Sequence, residues 1–523
     1  MNSIYKQSIK GLLLTVIALQ LMAYTTAQEA RSLATPLTIE LRKARATWFE
    51  SDNGAGVGLD SLKSYGSLEL GYRITDGDFK RVQQGKKEQQ LDVETEGGQQ
   101  LGSAYAWGRF SYTNETVRNA RFNTAMLDPY RGVPYYPVDP NLSDWKKQHY
   151  NLQMKVSSQP IYEHYLLGIQ AEYKAETGAK QVDPRSELYL YSIHVKPGIA
   201  AIFGSHRLGL NLAYEHMIQE TRGHSNSDDQ VNQNVFVLRG LGNHYTAVIG
   251  GLQSLGSFVY DANKVGAGLQ YAWQQHDLRL FAEGGYNYRV EEAVRDITKP
   301  RKEGTLRQQS LYAHAAVLHE GVNLNRVDLS LQRDLTQGIE FVQVLDNTYE
   351  VQQWVDLYSS IRSTYRRDTY RLSYDFFRNA AQEYSWKAGL HALYTVTDDS
   401  YIMPASHLKI QDLYLGADAK LNLPTRGNSR WVLGADLIRK VNQKGDYHYG
   451  GADPESIVIT QFMNPEVAYL MQDYYKLGGS ISYFAALPSR KSGAYLKLTA
   501  DYYKPTEGDD ARLITRLGMG LTF

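Results

Sequence analysis

Apolar residues recur at every second position through most of this chain. From His149, Tyr150, Leu152, Met154 and Val156 share one face, and His149, Asn151, Gln153 and Lys155 the other. From His164, Tyr165, Leu167, Ile169, Ala171 and Tyr173 oppose His164, Gln170, Glu172 and Lys174. The same rhythm places Val265, Ala267, Leu269, Tyr271 and Trp273 together, then Leu278, Leu280, Ala282, Tyr286 and Tyr288. A period of two is the signature of a β-strand with one apolar face. Proline avoids these stretches, as ladder hydrogen bonding requires. The connections come in two sizes. Gln274–Asp277, His319–Gly321 and Leu487–Lys491 are tight, whereas Thr113–Lys147, Glu220–Ala262 and Asn442–Pro465 are long and polar.

Alternation alone fits a soluble barrel with an inward apolar face as well as a membrane barrel with an outward one. Three features favour the membrane. Apolar rows end in tyrosine: Tyr384, Trp386, Ala388, Leu390, Ala392 and Tyr394 extend roughly 33 Å at ~3.3 Å per residue. At a tilt of about 40° that rises roughly 25 Å, the height of an outer-membrane apolar band between aromatic girdles. The opposite face carries charges that suit a wet lumen: Lys264, Arg279, Glu283, Arg289, Arg371, Asp375, Lys387, Lys497 and Asp501. Short turns at one end and long loops at the other complete the asymmetry of such barrels. The expectation is an all-β, transmembrane antiparallel barrel over residues 61–523, with about 16 strands (range 14–18), short periplasmic turns and long extracellular loops. Phe79–Glu96 and Gly338–Tyr349 are too polar to assign as strand or loop.

The third feature is the ending, RLITRLGMGLTF. Arg516, Gly518, Leu521 and Phe523 resemble the C-terminal β-signal of bacterial outer-membrane proteins. The resemblance implies that the barrel-assembly machinery reads this strand during biogenesis. An exposed, patterned edge is a template for strand addition.

Composition narrows the field. Glycine (44) and tyrosine (40) are abundant, proline (15) and phenylalanine (14) scarce, and cysteine absent. No disulfide, thiolate metal site or cysteine nucleophile is available. The formal net charge is zero, which offers nucleic acid no basic surface. At the N-terminus, Lys6 and Lys10 precede an apolar run from Leu12 to about Ala23, too short to span a membrane. That is a secretory signal layout, with cleavage expected after Ala27. Residues 28–60 read as a periplasmic segment or small plug, with a short helix near Pro36–Phe49.

Five stretches carry a second resemblance: 79–90 (FKRVQQGKKEQQ), 106–115 (AWGRFSYTNE), 128–140 (DPYRGVPYYPVDP), 182–188 (VDPRSEL) and 238–245 (LRGLGNHY). They are similar to an uncharacterised "domain of unknown function" family of outer-membrane β-barrels from Bacteroidota. The resemblance implies fold and location, and no substrate or catalytic residue.

Chemistry-bearing motifs are sparse. No two of the thirteen histidines stand two apart, and no His-Glu-x-x-His, EF-hand or phosphate loop occurs. Asp228–Asp229, Asp398–Asp399 and Asp509–Asp510 read as solvated turns. Gly223–Ser227 lacks the last glycine of a nucleophile elbow. His194, His216, Ser373 and Asp375 have no triad spacing. We therefore expect no enzyme, no cofactor and no metal, with an outer-membrane hydrolase as the minor alternative. The main expectation is a channel or transporter-like barrel of the cell outer membrane with unknown cargo, surrounded by outer-membrane lipid. Its mixed-sign lumen disfavours strong ion selectivity. The alternative is a surface-exposed accessory or adhesion barrel that partners another outer-membrane protein through loops such as Thr113–Lys147, rich in Tyr130, Tyr135, Tyr136, Pro134, Pro137 and Pro140. That loop could equally fold into its own barrel mouth.

Overall fold

The computed structural model of the protein describes residues 34–60, 62–225, 233–249, 256–296, 299–348, 350, 352–488 and 492–523. The expected signal segment 1–27 lies outside them, as do Asp228, Asp229 and Ser227. Eighteen antiparallel strands form one closed barrel. In chain order they are β1 (Tyr65–Gly77), β2 (Lys87–Leu101), β3 (Ala104–Ala120), β5 (Ser143–Ser158), β6 (Tyr165–Lys180), β7 (Arg185–Phe203) and β8 (His206–Ser225). They continue as β11 (Phe258–Gln275), β12 (Leu278–Arg295), β13 (Arg301–Glu320), β14 (Leu324–Asp346), β15 (Gln353–Arg378) and β16 (Trp386–Tyr401). The last five are β17 (Ser406–Pro424), β18 (Arg430–His448), β19 (Tyr474–Ala486), β20 (Gly493–Pro505) and β21 (Arg512–Thr522). Three further strands, β4 (Pro137–Val138), β9 (Gln233–Gly240) and β10 (Asn243–Ile249), make a separate small sheet. Eighteen is the top of the expected range, and the even number returns both ends of the wall to one side.

β21 closes the circle against β1, with Gly71 opposite Gly518 and Tyr72 opposite Leu517. The terminal residue joins the seam: Gly66 donates to the Phe523 carbonyl at 2.7 Å and Phe523 donates back at 3.0 Å. Arg516 points inward to Glu69 at 2.7 Å. Among the described residues, every strand of the wall pairs with a neighbour on each side, which is how a strand assembly satisfies its backbone in lipid.

The apolar rows face outward. Leu269 is 66% exposed, Leu311 60%, Leu390 60% and Leu212 58%. Water would not tolerate a continuous belt of this kind around a closed wall, so the belt is lipid-facing. The polar stretch 79–96 resolves into a loop and β2, whose outward row holds few large apolar residues. Of the polar stretch 338–349, residues 338–346 are the upper part of β14, and Tyr349 lies outside the described residues. Above Ile339 and Ser363, β14 and β15 pair only with each other, so nothing there demands lipid-facing residues. Two readings are corrected. Asp398 and Asp399 lie within β16, not in a turn. Tyr384 precedes β16, is fully buried and reaches inward, so the first ring of that row is not a girdle residue.

Candidate functional site

Folded segments enter the lumen at both ends. At the turn end, residues 34–60 cross the barrel as helix α1 (Pro36–Arg45) followed by a 3₁₀ turn (Gly54–Gly58). α1 starts where it does because Thr35 caps it, accepting from the Thr38 N–H at 3.1 Å, with proline in the first turn. Trp48 meets Phe281 edge-on at 5.3 Å, and Phe49 meets Trp107 likewise at 5.3 Å. The 3₁₀ turn lies flat on the inner wall only because glycines face each other there. A Cβ on Gly168 would come within 2.1 Å of the Ala55 nitrogen, and one on Gly54 within 2.4 Å of the Ile169 carbonyl carbon.

Polar contacts from around the circumference hold this plug. Asn53, fully buried, donates to the carbonyls of Ile199 (2.9 Å) and Leu210 (3.3 Å) and to Gln270 (3.0 Å). Lys196 pairs with Asp52 at 2.5 Å, Arg326 with Glu50 at 2.9 Å, Lys43 with Glu96 at 2.6 Å and Lys420 with Glu40 at 2.7 Å. Burial would raise the Asp52 carboxyl, yet Lys196 beside it holds it below the ordinary carboxylate range. Asp60 is the reverse case. It accepts from the Thr47 and Trp48 amides at 3.2 and 3.3 Å, but burial dominates and pushes it up to about 7.

At the loop end, the three long connections fold into the mouth. β4 pairs β9, and β9 pairs β10. The third loop adds a π-helical turn (Ile459–Met463) running into helix α2 (Asn464–Met471). Together they bury one apolar cluster, in which Phe122 stacks on Phe462 at 5.3 Å and Tyr135, Val235, Val237 and Val458 are fully buried. The loop carrying Tyr130–Pro140 thus turns into its own barrel mouth, and Tyr135 and Tyr136 form part of the closure rather than a docking face.

The nine charged residues read from the sequence all occupy inward strand positions, with different duties. Glu283 and Arg279 hold the plug, through the Asp52 amide (3.0 Å) and the Arg45 carbonyl (3.2 Å). Lys264 pairs with Glu215, as does Arg289 at 3.8 Å. Asp501 pairs with Lys476 at 3.0 Å. Arg371 is exposed to the lumen, and Lys497 stands among Lys420, Glu69 and Arg516. Asp375 and Lys387 meet at 2.9 Å in a cluster that sequence reading missed. His391 bonds Asp418 at 2.5 Å, and the ligand atoms of Asp375, His391 and Asp418 lie within 4.8 Å of one another. Gly389 makes this room: it sits in register between Asp375 and Asp418, and a Cβ there would come within 2.3 Å of the Asp418 carboxylate. Lys387, 3.8 Å from Asp418 as well, already supplies the positive charge that a metal ion would bring. The other imagined triad members are separated: His194 faces inward on β7 and pairs with Glu215, whereas His216 faces outward beside Asn263.

A cavity of about 360 Å³ lies where the mouth layer meets β12–β17. Its wall is a lateral row of inward residues in strict register: Arg289, Gln308, Thr336, Tyr365, Asp399 and Leu408. The roof comes from the loops, including Tyr130, Arg131, Leu241 and Phe462.

Residues 54–523 match the model of a "Family of unknown function (DUF6850)". The chain belongs to this family. Four of the five resemblance stretches meet in or beside the mouth layer: Arg81 lies over the Tyr130 ring at 3.8 Å, Gln83 donates to Tyr136 at 2.9 Å, Leu238 to the Tyr136 carbonyl at 3.0 Å, and Asn141 to the Asp183 carbonyl at 3.1 Å. The fifth contains Trp107, which packs on the plug. No curated protein matches the chain. Among solved structures, BauA, the ferric preacinetobactin receptor from Acinetobacter baumannii, is 8% identical, with 88% of this chain and 80% of that one covered and a TM-score of 0.39. The FrpB iron transporter from Neisseria meningitidis gives 9%, 88%, 81% and 0.39. The outer-membrane protein opdK from Pseudomonas aeruginosa gives 10%, 88%, 99% and 0.34. Likenesses this distant carry nothing about cargo. The closed wall and its lipid-facing belt identify an outer-membrane β-barrel.

Proposed function

We propose that this protein is an outer-membrane transport barrel held shut at rest, with the segment 34–60 as its movable closure and the mouth layer as a fixed frame that leaves a passage beside it. The observation that carries the reading is the chemistry of the plug contacts. A segment meant only to fill space would be anchored by apolar packing. This one adds charged and amide contacts to strands around the barrel, each replaceable by water when the segment leaves. In this reading the chain is exported by its N-terminal segment and inserted by the barrel-assembly machinery through the β21 signal. It catalyses nothing, and the finer assignment to Bacteroidota rests on the sequence resemblance alone.

Planar-bilayer recording tests the proposal. The intact protein gives little or no current, and a chain lacking residues 34–60 gives steady openings. One observation favours the accessory reading instead. The β14–β15 hairpin rises past its neighbours and exposes Val342 (53%), Leu357 (63%) and Tyr358 (63%), the kind of surface that partners cover. A trimmed barrel that migrates as a folded, heat-modifiable species yet stays silent removes the transport reading and leaves the accessory one.

A further inference from the structure

The cavity under the mouth layer contains polar groups that the fold does not satisfy. Arg131 spends one nitrogen on Glu291 at 2.5 Å, while its Nε and Nη2 are buried without a partner. Asp334 accepts from Gln332 through one oxygen at 2.8 Å, and its Oδ1 has none. Asp399 is only 4% exposed and its Oδ1 is likewise unmatched, as is the Tyr130 hydroxyl. Arg367 stands opposite Asp334 in register, is exposed and lines the same cavity, and acts on Asp399 through space. Native folds rarely leave buried polar atoms unmatched, and several around one cavity call for a missing partner.

The signs and placement narrow that partner. Glu291 and Glu466 are already matched by arginines. What remains is one set of unmatched acceptors, on Asp334 and Asp399, and one set of donors around the same cavity, on Arg131 and Arg367. A neutral polyol would leave these full charges with uncharged partners, and charge-assisted bonds are roughly twice as strong. An anion alone would leave the aspartates unmatched, and a cation alone the arginines. The roof contributes Leu241, Phe462 and Met463, an apolar surface with no polar group to satisfy. About 360 Å³ is at the small end of ligand pockets.

We propose that this cavity binds a small zwitterion of amino-acid to dipeptide size. Its ammonium lies between Asp334 and Asp399, its carboxylate on Arg131 and Arg367, and an apolar side chain against the loop roof. The proposal rests on the transport reading and names its substrate class.

Titration calorimetry on the detergent-solubilised full chain tests it with alanyl-leucine as probe. The same dipeptide acetylated and amidated, which removes both charges, and maltose, a neutral polyol, serve as comparisons. Alanyl-leucine binds, the capped form binds about tenfold more weakly or worse, and maltose gives no heat. Arg367→Gln and Asp334→Asn each weaken alanyl-leucine by a similar factor, with folding checked by heat-modifiable migration. Equal binding of capped and free dipeptide, binding of maltose alone, or no binding of alanyl-leucine overturns the proposal. The capped and free forms compared on the unaltered protein decide the matter even if both variants misfold. The two claims fail separately. Trimmed barrels that conduct, with no dipeptide heat in the full chain, overturn the site alone. Dipeptide binding by a barrel that stays silent when trimmed overturns the transport reading and leaves the site.

Discussion

Two regions occupy the lumen of this barrel, and they are built differently. The mouth layer comes from three loops, each tied into the wall at both ends, and their shared interior is an apolar cluster centred on Phe122, Tyr135 and Phe462. The plug is a single segment that precedes β1 in the chain, with residues 62–64 leading into the wall. It has apolar anchors of its own, Leu41 and Trp48 among them. Beside these, polar contacts tie Asn53, Asp52, Glu50 and Lys43 to strands around the wall. Apolar burial weakens only when the whole cluster opens, whereas polar contacts can be exchanged for water one by one. The difference locates movement at the turn end and a fixed frame, rather than a gate, at the mouth.

The largest expected effect breaks the mouth while sparing the plug. Phe462→Ala removes a ring that is 6% exposed and stacked on Phe122, at a cost of about 3–5 kcal/mol to the loop layer. Limited proteolysis then cuts within the three long loops, while the barrel still shows heat-modifiable migration. Next comes pH, acting on the plug through Asp60. The Asp60 carboxyl at about 7 is raised above its unfolded value near 3.9. The docked plug therefore binds a proton that the undocked one releases. Docking is firmest below about pH 4, weakens as pH rises to about 7, and is flat above. Between pH 5 and 8 the loss is roughly 2–3 kcal/mol. Open events in bilayers become more frequent over that interval, and Asp60→Asn flattens the dependence. Asp52, whose carboxyl is depressed, contributes the opposite slope only in stronger acid. Gly168→Ala acts locally. Its Cβ would stand 2.1 Å from the Ala55 nitrogen, and relieving that overlap costs about 1–3 kcal/mol. The 3₁₀ turn lifts from the wall, and brief openings appear without any deletion.

The wall was legible in the sequence because lipid imposes a rule on every spanning residue: apolar outward, tolerant inward. Leu269, Leu311 and Leu390 obey it, and the rule fixed their direction. It lapses where lipid is absent. The upper halves of β14 and β15 rise past the belt, so Gly338–Asp346 carried no alternation to read. In β2 the inward residues Asp92, Glu94 and Glu96 serve the lumen, and only Leu91 and Val93 speak for lipid. The closures were harder, because their partners are distant in sequence. Nothing near Tyr135 announces Val237, and nothing near Asn53 announces Gln270. The Asp375–His391–Asp418 cluster left one faint mark: Lys387, Gly389 and His391 stand at alternate positions, a gap flanked by two charges-in-waiting on one face. Reading it required knowing that β15 and β17 flank β16 in that register.

Hydrogen exchange by mass spectrometry, on the intact protein in detergent, tests the contrast between the two closures most directly. Amides of the plug between Ile39 and Leu59 are expected to exchange through local opening, at least about tenfold faster than amides of β9 and β10 in the mouth layer. Equal protection of the two regions, or a plug that outlasts the mouth layer, would contradict a movable closure at the turn end.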